Sequence, residues 1–222
     1  MTDTPAPAPD PGKPKLVAAK EAWARAGRLL TGQTADPARD RLPPGQRLVT
    51  DWPVLDLGTQ PVIAPEAFRL DIDGAVAHPL RLDWPGLMAL PATESVSDIH
   101  CVTQWSRYDN RWTGVAAATL IAAVAPKDEA AFVIFHAADG YTTNIARERF
   151  ERPDSLLAYR WNEAPIPPEH GGPARMVIPS LYFWKSAKWV RRIEFALTDR
   201  PGFWERRGYH NQGDPWAEER YS

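Results

Sequence analysis

Prolines spread along the whole chain restrict its fold more than any other feature of the sequence. There are 23 prolines in 222 residues. A proline inside a helix removes a hydrogen bond and clashes with the preceding turn. Long helices are therefore interrupted almost everywhere, whereas short strands joined by structured loops tolerate this spacing. The sequence disfavours an all-helical bundle and predicts a mixed α+β fold that is mostly β, with short peripheral helices.

Charge and hydropathy exclude two classes of partner. The chain has 26 Lys and Arg against 28 Asp and Glu, and this balance lacks the basic excess of a nucleic-acid binder. The longest apolar stretch, Val115–Ala125, is shorter than the roughly 20 residues that cross a bilayer. The polar, proline-rich start has no basic region followed by an apolar one. We therefore expect no nucleic-acid partner, no membrane span and a cytoplasmic location.

Three stretches of different composition divide the chain. Residues 1–14 carry prolines among small polar residues, which cannot bury enough apolar surface to fold, and we predict a disordered tail there. Residues 15–41 are predicted to form an N-terminal helix and a linker, because Leu16, Trp23 and Leu30 give a weak apolar stripe. Residues 42–222 are predicted to form the functional domain, which begins with an extended strap.

Alternating apolar and polar residues predict short strands within this domain. Residues 68–72 alternate in this way and precede the turn pair Asp73-Gly74. Further strands are predicted at Ser95–Val102, Ala131–His136, Tyr141–Ile145, Arg175–Ile178 and Trp189–Leu197. Asp139-Gly140 lies between two of them and indicates a hairpin. The alanine-rich run from Gly114 to Val124 predicts a helix.

The single cysteine, Cys101, excludes an internal disulfide and leaves three roles open. A lone cysteine is most often a small buried hydrophobe. It can also be a catalytic thiolate paired with a histidine such as His100 or His136. Neighbouring residues of a strand point to opposite faces, which disfavours His100. The third role is a soft thiolate ligand to a transition metal.

A second group of residues has the chemistry of an anion site. The segment His170-Gly171-Gly172-Pro173-Ala174-Arg175 contains paired glycines, which let the backbone approach a ligand closely. Lys185 and Lys188 follow it. Arginine, lysine and backbone N–H groups together can hold a phosphate. The alternative is a solvated basic strand face.

These segments together resemble the sulfite oxidase family of molybdopterin-dependent oxidoreductases, from about Leu42 to the C-terminus. The blocks that carry the resemblance are Leu42-Pro43-Pro44-Gly45-Gln46, Leu70-x-Ile72-x-Gly74, His78-Pro79-Leu80, the Cys101 segment through Trp112-x-Gly114-Val115, Asp139-Gly140-Tyr141-Thr142-Thr143-Asn144, His170 to Arg175, Tyr182 to Trp189, Gly202-Phe203-Trp204-Glu205 and Gly208-Tyr209. The chain looks most like the short cytoplasmic bacterial branch. The resemblance implies a sulfite-oxidase-type molybdopterin-binding fold.

The resemblance also implies a cofactor, which is molybdenum held by molybdopterin and by a protein thiolate. Cys101 is implied as that metal ligand. The residues implied to contact the pterin and its phosphate are His170, Arg175, Ser186, Ala187 and Lys188, with backbone near Ala137. In this family the metal exchanges two electrons together with an oxo group.

The implied catalytic residues and substrate follow from the Cys101 segment. Tyr141 is expected to offer a hydroxyl to the pocket, Trp105 to form a pocket wall and Arg107 to guide an anionic substrate. Vertebrate and plant sulfite oxidases carry an arginine pair after the cysteine, where this chain has Trp105 and Ser106. That pair is closer to the methionine sulfoxide reductase branch, so a small S- or N-oxide is at least as favoured as sulfite.

The domains that the sequence lacks bear on its partners. The sequence shows no haem-binding cytochrome b5 segment and no second domain of the length that dimerises sulfite oxidases. We therefore expect a small-molecule substrate and a separate electron-transfer partner. Two other functions stay open, namely a non-catalytic molybdopterin-binding protein, which would use the same residues, and a cysteine-dependent hydrolase.

Overall fold

Short strands dominate the part of the chain that the structure describes. A computed structural model describes residues 41–222, so the predictions for residues 1–14 and for the helix within residues 15–41 lie outside the described residues. The strands are β1 Arg47–Leu48, β2 Arg69–Gly74, β3 Leu80–Asp83, β4 Thr93–Cys101, β5 Trp105–Ala116, β6 Phe132–Ala137, β7 Thr142–Ala146, β8 Leu156–Trp161, β9 Ala164–Pro165, β10 Arg175–Val177 and β11 Val190–Ala196. The helices are α1 Trp84–Met88, α2 Ala117–Val124 and α3 Arg147–Phe150, with single 3-10 turns at Pro65–Ala67, Pro168–His170, Phe183–Lys185 and Glu205–Arg207. This mixed, mostly β architecture confirms the predicted fold class.

One sheet is built around the long strand β5. Its order is β1-β5-β8-β10, with β4 paired to β5 and β9 paired to β8. Strands β4 and β5 run antiparallel and meet at the pair Cys101 and Trp105. Strand β1 runs parallel to the start of β5, with Arg47 opposite Trp105. The end of β4 therefore lies next to the extended segment that follows β1.

The other sheet joins distant parts of the sequence. Its order is β3-β2-β11-β6-β7. Strand β11 pairs parallel with β2 and antiparallel with β6. Strands β6 and β7 form the predicted hairpin, in which Gly140 adopts a φ of 85° and the Tyr141 N–H donates to Asp139 Oδ1. The predicted hairpin is therefore confirmed.

The helix predicted from Gly114 begins three residues late. Residues 114–116 belong to β5, and Gly114 lies opposite Ala158 of β8. A Cβ on Gly114 would stand 2.2 Å from the Leu157 carbonyl oxygen, so this glycine allows two strands to approach rather than starting a helix. The helix itself, α2, ends as predicted before Pro126, with Ala125 in the left-handed region.

Two buried clusters hold the domain together. The larger one contains side chains of both sheets and of the helices, and includes Leu70, Phe135 and Leu157. The smaller one packs around Trp52 and Trp112 and contains Cys101. Among the described tryptophans, Trp112 is buried in this core, whereas Trp105, Trp184 and Trp189 also line the cavity described next.

Candidate active site

A cavity of about 340 Å³ opens beside the end of β4. Its walls come from the segment that follows β1 (residues 52–57), the turn after β4, and the loops around residues 170–175 and 183–189. The cavity brings together seven residues that the sequence analysis singled out, namely Cys101, Trp105, Tyr141, His170, Arg175, Ser186 and Lys188. Segments far apart in the sequence thus form one site.

Cys101 is held by a tight turn at the start of the cavity. The Gln104 N–H donates to the Cys101 carbonyl at 3.0 Å, and Gln104 has a φ of 68°. The Gln46 side-chain amide donates to the same carbonyl at 3.0 Å. The turn brings Thr103 Oγ1 to 3.1 Å from Cys101 Sγ. Burial raises the pKa of the thiol, and the hydrogen bonds from Thr103 and from the Val102 backbone act in the opposite direction.

The neighbouring histidine faces away from this thiol. His100 Nδ1 lies 2.8 Å from Ser106 Oγ, and its ring contacts Trp216. This confirms the expectation that successive strand residues point to opposite faces. The hydrolase alternative requires a histidine within hydrogen-bond distance of the cysteine. The partner recorded for the Cys101 thiol in the described part of the chain is the Thr103 hydroxyl instead.

Two glycines shape the basic side of the cavity. Gly171 has a φ of 105°, and a Cβ there would come within 2.8 Å of the Lys188 side chain. A Cβ on Gly172 would lie 2.1 Å from the Ile166 carbonyl oxygen. The paired glycines therefore serve close backbone packing, and this packing sets His170 and Lys188 side by side.

Arg175 is buried and hydrogen-bonds to several backbone carbonyls of this region. Its guanidinium donates to the carbonyls of His170 at 2.7 Å and Ser186 at 2.8 Å, and its Nε donates to the Met176 carbonyl at 3.3 Å. It also lies over the Phe183 ring at 4.1 Å. Burial lowers its pKa to about 9. A guanidinium has five N–H groups, so two remain for a ligand beyond the three bonds to described residues.

Lys188 and His170 carry polar groups that remain available to a ligand in this region. Burial, with Arg175 next in importance, lowers the pKa of Lys188 to about 8, and its ammonium donates to the Glu169 carbonyl at 2.7 Å. His170 stacks on Trp52 at 3.8 Å between ring centres. Burial, then Arg175, lowers the pKa of His170 to about 4, so its imidazole is neutral at pH 7. Among the described residues, no group hydrogen-bonds its buried Nδ1.

Aromatic side chains form the remaining wall. Trp105 is 4% exposed, and its indole N–H has no hydrogen-bond partner among residues 41–222. Tyr141 lines the cavity, and its hydroxyl, which was expected to serve the pocket, donates to the Trp184 carbonyl at 2.6 Å. Tyr141 therefore keeps only oxygen lone pairs for a ligand. Its pKa is raised well above the usual value by burial.

Tyr209 was missed as a site residue. It lines the cavity and stacks on Trp204 at 4.9 Å. Burial raises its pKa, and the charges of Tyr221 and then of Cys101 act in the same direction. One signal points to it, because Gly208-Tyr209 is among the blocks that carry the family resemblance.

Three predicted site residues do not line the cavity. Arg107 turns to the Thr50 carbonyl at 3.1 Å and to the Asn110 side chain, and it lies over the Trp161 ring. The Ala137 N–H and carbonyl both serve the β6–β7 turn, bonding Tyr141 and Gly140. Ala187 is buried, and its carbonyl accepts the Met176 N–H at 2.9 Å. The structure brings none of these three groups to the cavity.

Comparison with known proteins identifies the family. Residues 57–204 match the family described as oxidoreductase molybdopterin binding domain, which is more than half of the chain. The chain belongs to this family. It is a molybdopterin-dependent oxidoreductase of the sulfite oxidase type, and its cofactor is molybdenum-molybdopterin. Within the described residues, no helix is long and apolar enough to cross a membrane.

The relatives differ in how much of their length this oxidoreductase covers. It is 48% identical to the uncharacterised oxidoreductase YuiH of Bacillus subtilis, over 82% of this chain and 92% of YuiH. It is 28% identical to the protein-methionine-sulfoxide reductase catalytic subunit MsrP of Campylobacter jejuni, over 62% of this chain but 52% of MsrP. The sulfane dehydrogenase SoxCD of Paracoccus pantotrophus shares the fold, with a TM-score of 0.60 and 22% identity over 71% of this chain and 46% of that one.

The residues of the cavity fit this cofactor. A pterin carries several hydrogen-bonding ring atoms, and the buried His170 Nδ1 is an unused partner for one of them. The cofactor phosphate is anionic, and the Lys188 ammonium with the two remaining Arg175 N–H groups can hold it. A metal that prefers sulfur requires a thiolate, which Cys101 can supply at the other wall of the same cavity.

The neutral state of His170 leads to a pH prediction for protein made without cofactor. The pKa of this histidine is about 4 in the folded chain, against 6.5 in an unfolded one. Between these values the unfolded chain binds more protons, so the free energy of unfolding should rise as the pH rises from 4 to 6.5. Urea unfolding at several pH values measures this slope. His170→Gln should flatten it, and an identical slope in both proteins would contradict the assigned pKa.

Proposed function

We propose that this oxidoreductase carries out two-electron oxo transfer on a small, uncharged S- or N-oxide, with Cys101 as thiolate ligand to molybdenum. The observation that carries the proposal is the division of charge within one cavity. Arg175 donates to the His170 carbonyl and Lys188 to the carbonyl of the adjacent Glu169, whereas the sulfur of Cys101 is bonded to Thr103. Cations therefore gather on one side and the thiol stands on another.

The basic side would hold the organic part of the cofactor. Lys188 and Arg175 donate to its phosphate, and neutral His170 offers either a donor or an acceptor to the pterin, according to its tautomer. Phosphate binding beside Lys188 favours the charged ammonium and so restores the pKa that burial lowers. Ser186 stays in place because its hydroxyl accepts the Ile178 N–H at 2.9 Å.

The thiol side would hold the metal. Cys101 binds as the thiolate, so its proton leaves when the site is loaded, and nearby N–H and O–H groups stabilise the remaining charge. When bound, the molybdenum centre supplies exchange of two electrons together with an oxygen atom. The protein contributes a fixed thiolate, an aromatic wall, and hydrogen-bond donors for the substrate oxygen.

Two donors on this side suit an oxide oxygen. The Trp105 indole can only donate, and its N–H is not used by the described residues. The raised pKa of Tyr209 keeps its phenol protonated at neutral pH, so this group can also donate. The oxygen of a sulfoxide or an N-oxide is a strong acceptor, so these two groups can orient such a substrate.

Sulfite is the less favoured substrate on this geometry. Recognition of a small dianion calls for arginine or lysine at the reacting centre. Arg107, the cation nearest to Cys101 in the segment, is turned to Thr50 and Asn110. The cations that line the cavity, Arg175 and Lys188, would be engaged by the cofactor phosphate. Electrons would come from a separate partner, and the cytoplasmic location stays a prediction.

A substrate panel tests this proposal. Molybdenum-loaded protein should reduce methionine sulfoxide or trimethylamine N-oxide with a reduced viologen dye, with a kcat/KM well above that for sulfite oxidation with ferricyanide. Trp105→Phe should lower kcat/KM for the oxide about 3- to 10-fold, because it removes one hydrogen bond worth about 0.5–1.5 kcal/mol. Arg107→Met serves as a matched control and should leave both reactions unchanged. Preferred oxidation of sulfite, or no turnover of any oxide by loaded protein, would overturn the proposal.

A further inference from the structure

The turn after β4 places a hydroxyl group directly on the sulfur of Cys101. Thr103 Oγ1 lies 3.1 Å from Cys101 Sγ. The turn that sets this distance is closed by the Gln104 N–H on the Cys101 carbonyl and is fixed from outside by the Gln46 side chain. The contact therefore lies within a turn whose backbone is held by two hydrogen bonds to the Cys101 carbonyl.

The direction of this hydrogen bond is decided by the state of the sulfur. In the free thiol either atom can be the donor. A thiolate carries no hydrogen, so with Cys101 deprotonated the hydrogen between the two atoms belongs to Thr103. The bond then becomes a charge-assisted O–H···S⁻ bond, which is stronger than its neutral counterpart. The Val102 and Thr103 backbone groups add to the donors around the sulfur.

We propose that Thr103 is a positioning residue that acts through Cys101, because its hydroxyl withdraws electron density from the thiolate and thereby raises the reduction potential of the metal that the thiolate binds. The inference rests on the proposed ligation by Cys101. Hydrogen bonds to ligand sulfur are a known means of tuning protein metal centres. An electron-poorer thiolate stabilises the oxidised metal less, so reduction becomes easier.

A second consequence concerns orientation. The hydroxyl fixes the rotation of the Cys101 side chain towards the cavity, as partners of metal ligands commonly do. Thr103 is itself exposed on its turn, so replacing it removes little packing. The effect of a substitution should therefore fall on the metal and not on the fold.

A matched pair of variants separates the hydroxyl from the rest of the side chain. Thr103→Val keeps the shape and removes the hydroxyl, whereas Thr103→Ser keeps the hydroxyl and removes a methyl group. Loaded wild-type and variant proteins are titrated with dithionite and mediator dyes, and the one-electron potentials are read from the electron paramagnetic resonance signal of the metal. Molybdenum content and the thiolate-to-metal absorption band are recorded on the same samples.

The expected result is a shift in one variant only. Thr103→Val should lower the equilibrium constant for one-electron reduction about tenfold, which corresponds to about 59 mV. Thr103→Ser should match the wild type, and the absorption band should move in the valine variant alone. If Thr103→Val retains less molybdenum than the wild type, Thr103→Ser must retain more molybdenum than Thr103→Val for the inference to hold. An unchanged potential in Thr103→Val, or an equal shift in both variants, would overturn it.

Cys101→Ser, measured in parallel, distinguishes failure of this inference from failure of the proposed ligation. If Cys101→Ser loses the thiolate absorption band while Thr103→Val leaves the potential unchanged, the ligation stands and the role of Thr103 is wrong. If Cys101→Ser keeps both the band and the potential of the wild type, Cys101 is not the ligand, and both proposals fall together.

Discussion

Replacing Cys101 with alanine is expected to abolish oxo transfer in protein loaded with molybdenum-molybdopterin. The side chain is 7% exposed and stands in the cavity wall with its sulfur bonded to Thr103. Alanine leaves a small gap but no buried polar group, so the domain should fold. Loss of a direct metal ligand should exceed the effect of losing a supporting residue, and we expect a decrease in kcat of at least about 100-fold. Steady-state reduction of an S- or N-oxide measures it.

The controls for this variant examine the metal and the pterin separately. Molybdenum content should fall with activity, whereas pterin released from the same sample should fall less, because Lys188, Arg175 and His170 remain in place. Circular dichroism checks that the fold is intact. Full activity in Cys101→Ala would refute the ligation. Normal molybdenum and pterin without turnover in the wild type would favour the non-catalytic alternative.

Replacing Lys185 with methionine is expected to cost about 3–5 kcal/mol of unfolding free energy, which is the effect of breaking a buried ion pair. Lys185 and Glu205 are 0% and 1% exposed, and their charged atoms lie 2.6 Å apart. The ammonium also donates to the Asn144 and Asn211 carbonyls at 2.7 Å each. Methionine leaves the Glu205 carboxylate buried without its cation. Since a domain of this size is stable by about 5–15 kcal/mol, the loss should be visible as a large decrease in the urea midpoint.

The double variant Lys185→Met with Glu205→Gln separates charge from packing. Glutamine keeps an oxygen that can accept from Thr143 and Trp184, which bond Glu205 at 2.8 and 2.9 Å. It carries no charge, so the double variant should be more stable than Lys185→Met alone. A cost below about 1 kcal/mol for the single variant, or no recovery in the double one, would contradict this account.

Short sequence patterns predicted the elements whose conformation depends on a few neighbouring residues. Asp139-Gly140 specified a hairpin because the turn itself requires these residues. Strand β5 was missed because it departs from simple alternation: its register shifts opposite Ser97 and again at Thr113, and Asp109 has a φ of 55°. Such bulges move side chains between faces, so the pattern of the sequence no longer has a period of two.

Residue types alone did not group the site, because they left the roles of Cys101 and of the basic segment open. The family resemblance implied one site, and Cys101, His170 and Lys188 line one cavity. Arg107 lies outside it because its guanidinium is bonded to the Thr50 carbonyl and the Asn110 side chain. Tyr209 depends on the fold of the last residues against Trp204, a contact that no local pattern encodes.

The pairing of β2 with β11, which are far apart in the sequence, also bears on when the cavity forms during synthesis. These strands join Asp71 to Arg192, and the cavity wall runs from Trp52 to Tyr209. Contacts between residues so far apart in sequence form late and slowly. On the ribosome, the nascent chain therefore has no complete cavity until Tyr209 has emerged, and the cofactor can enter a complete site only after that point.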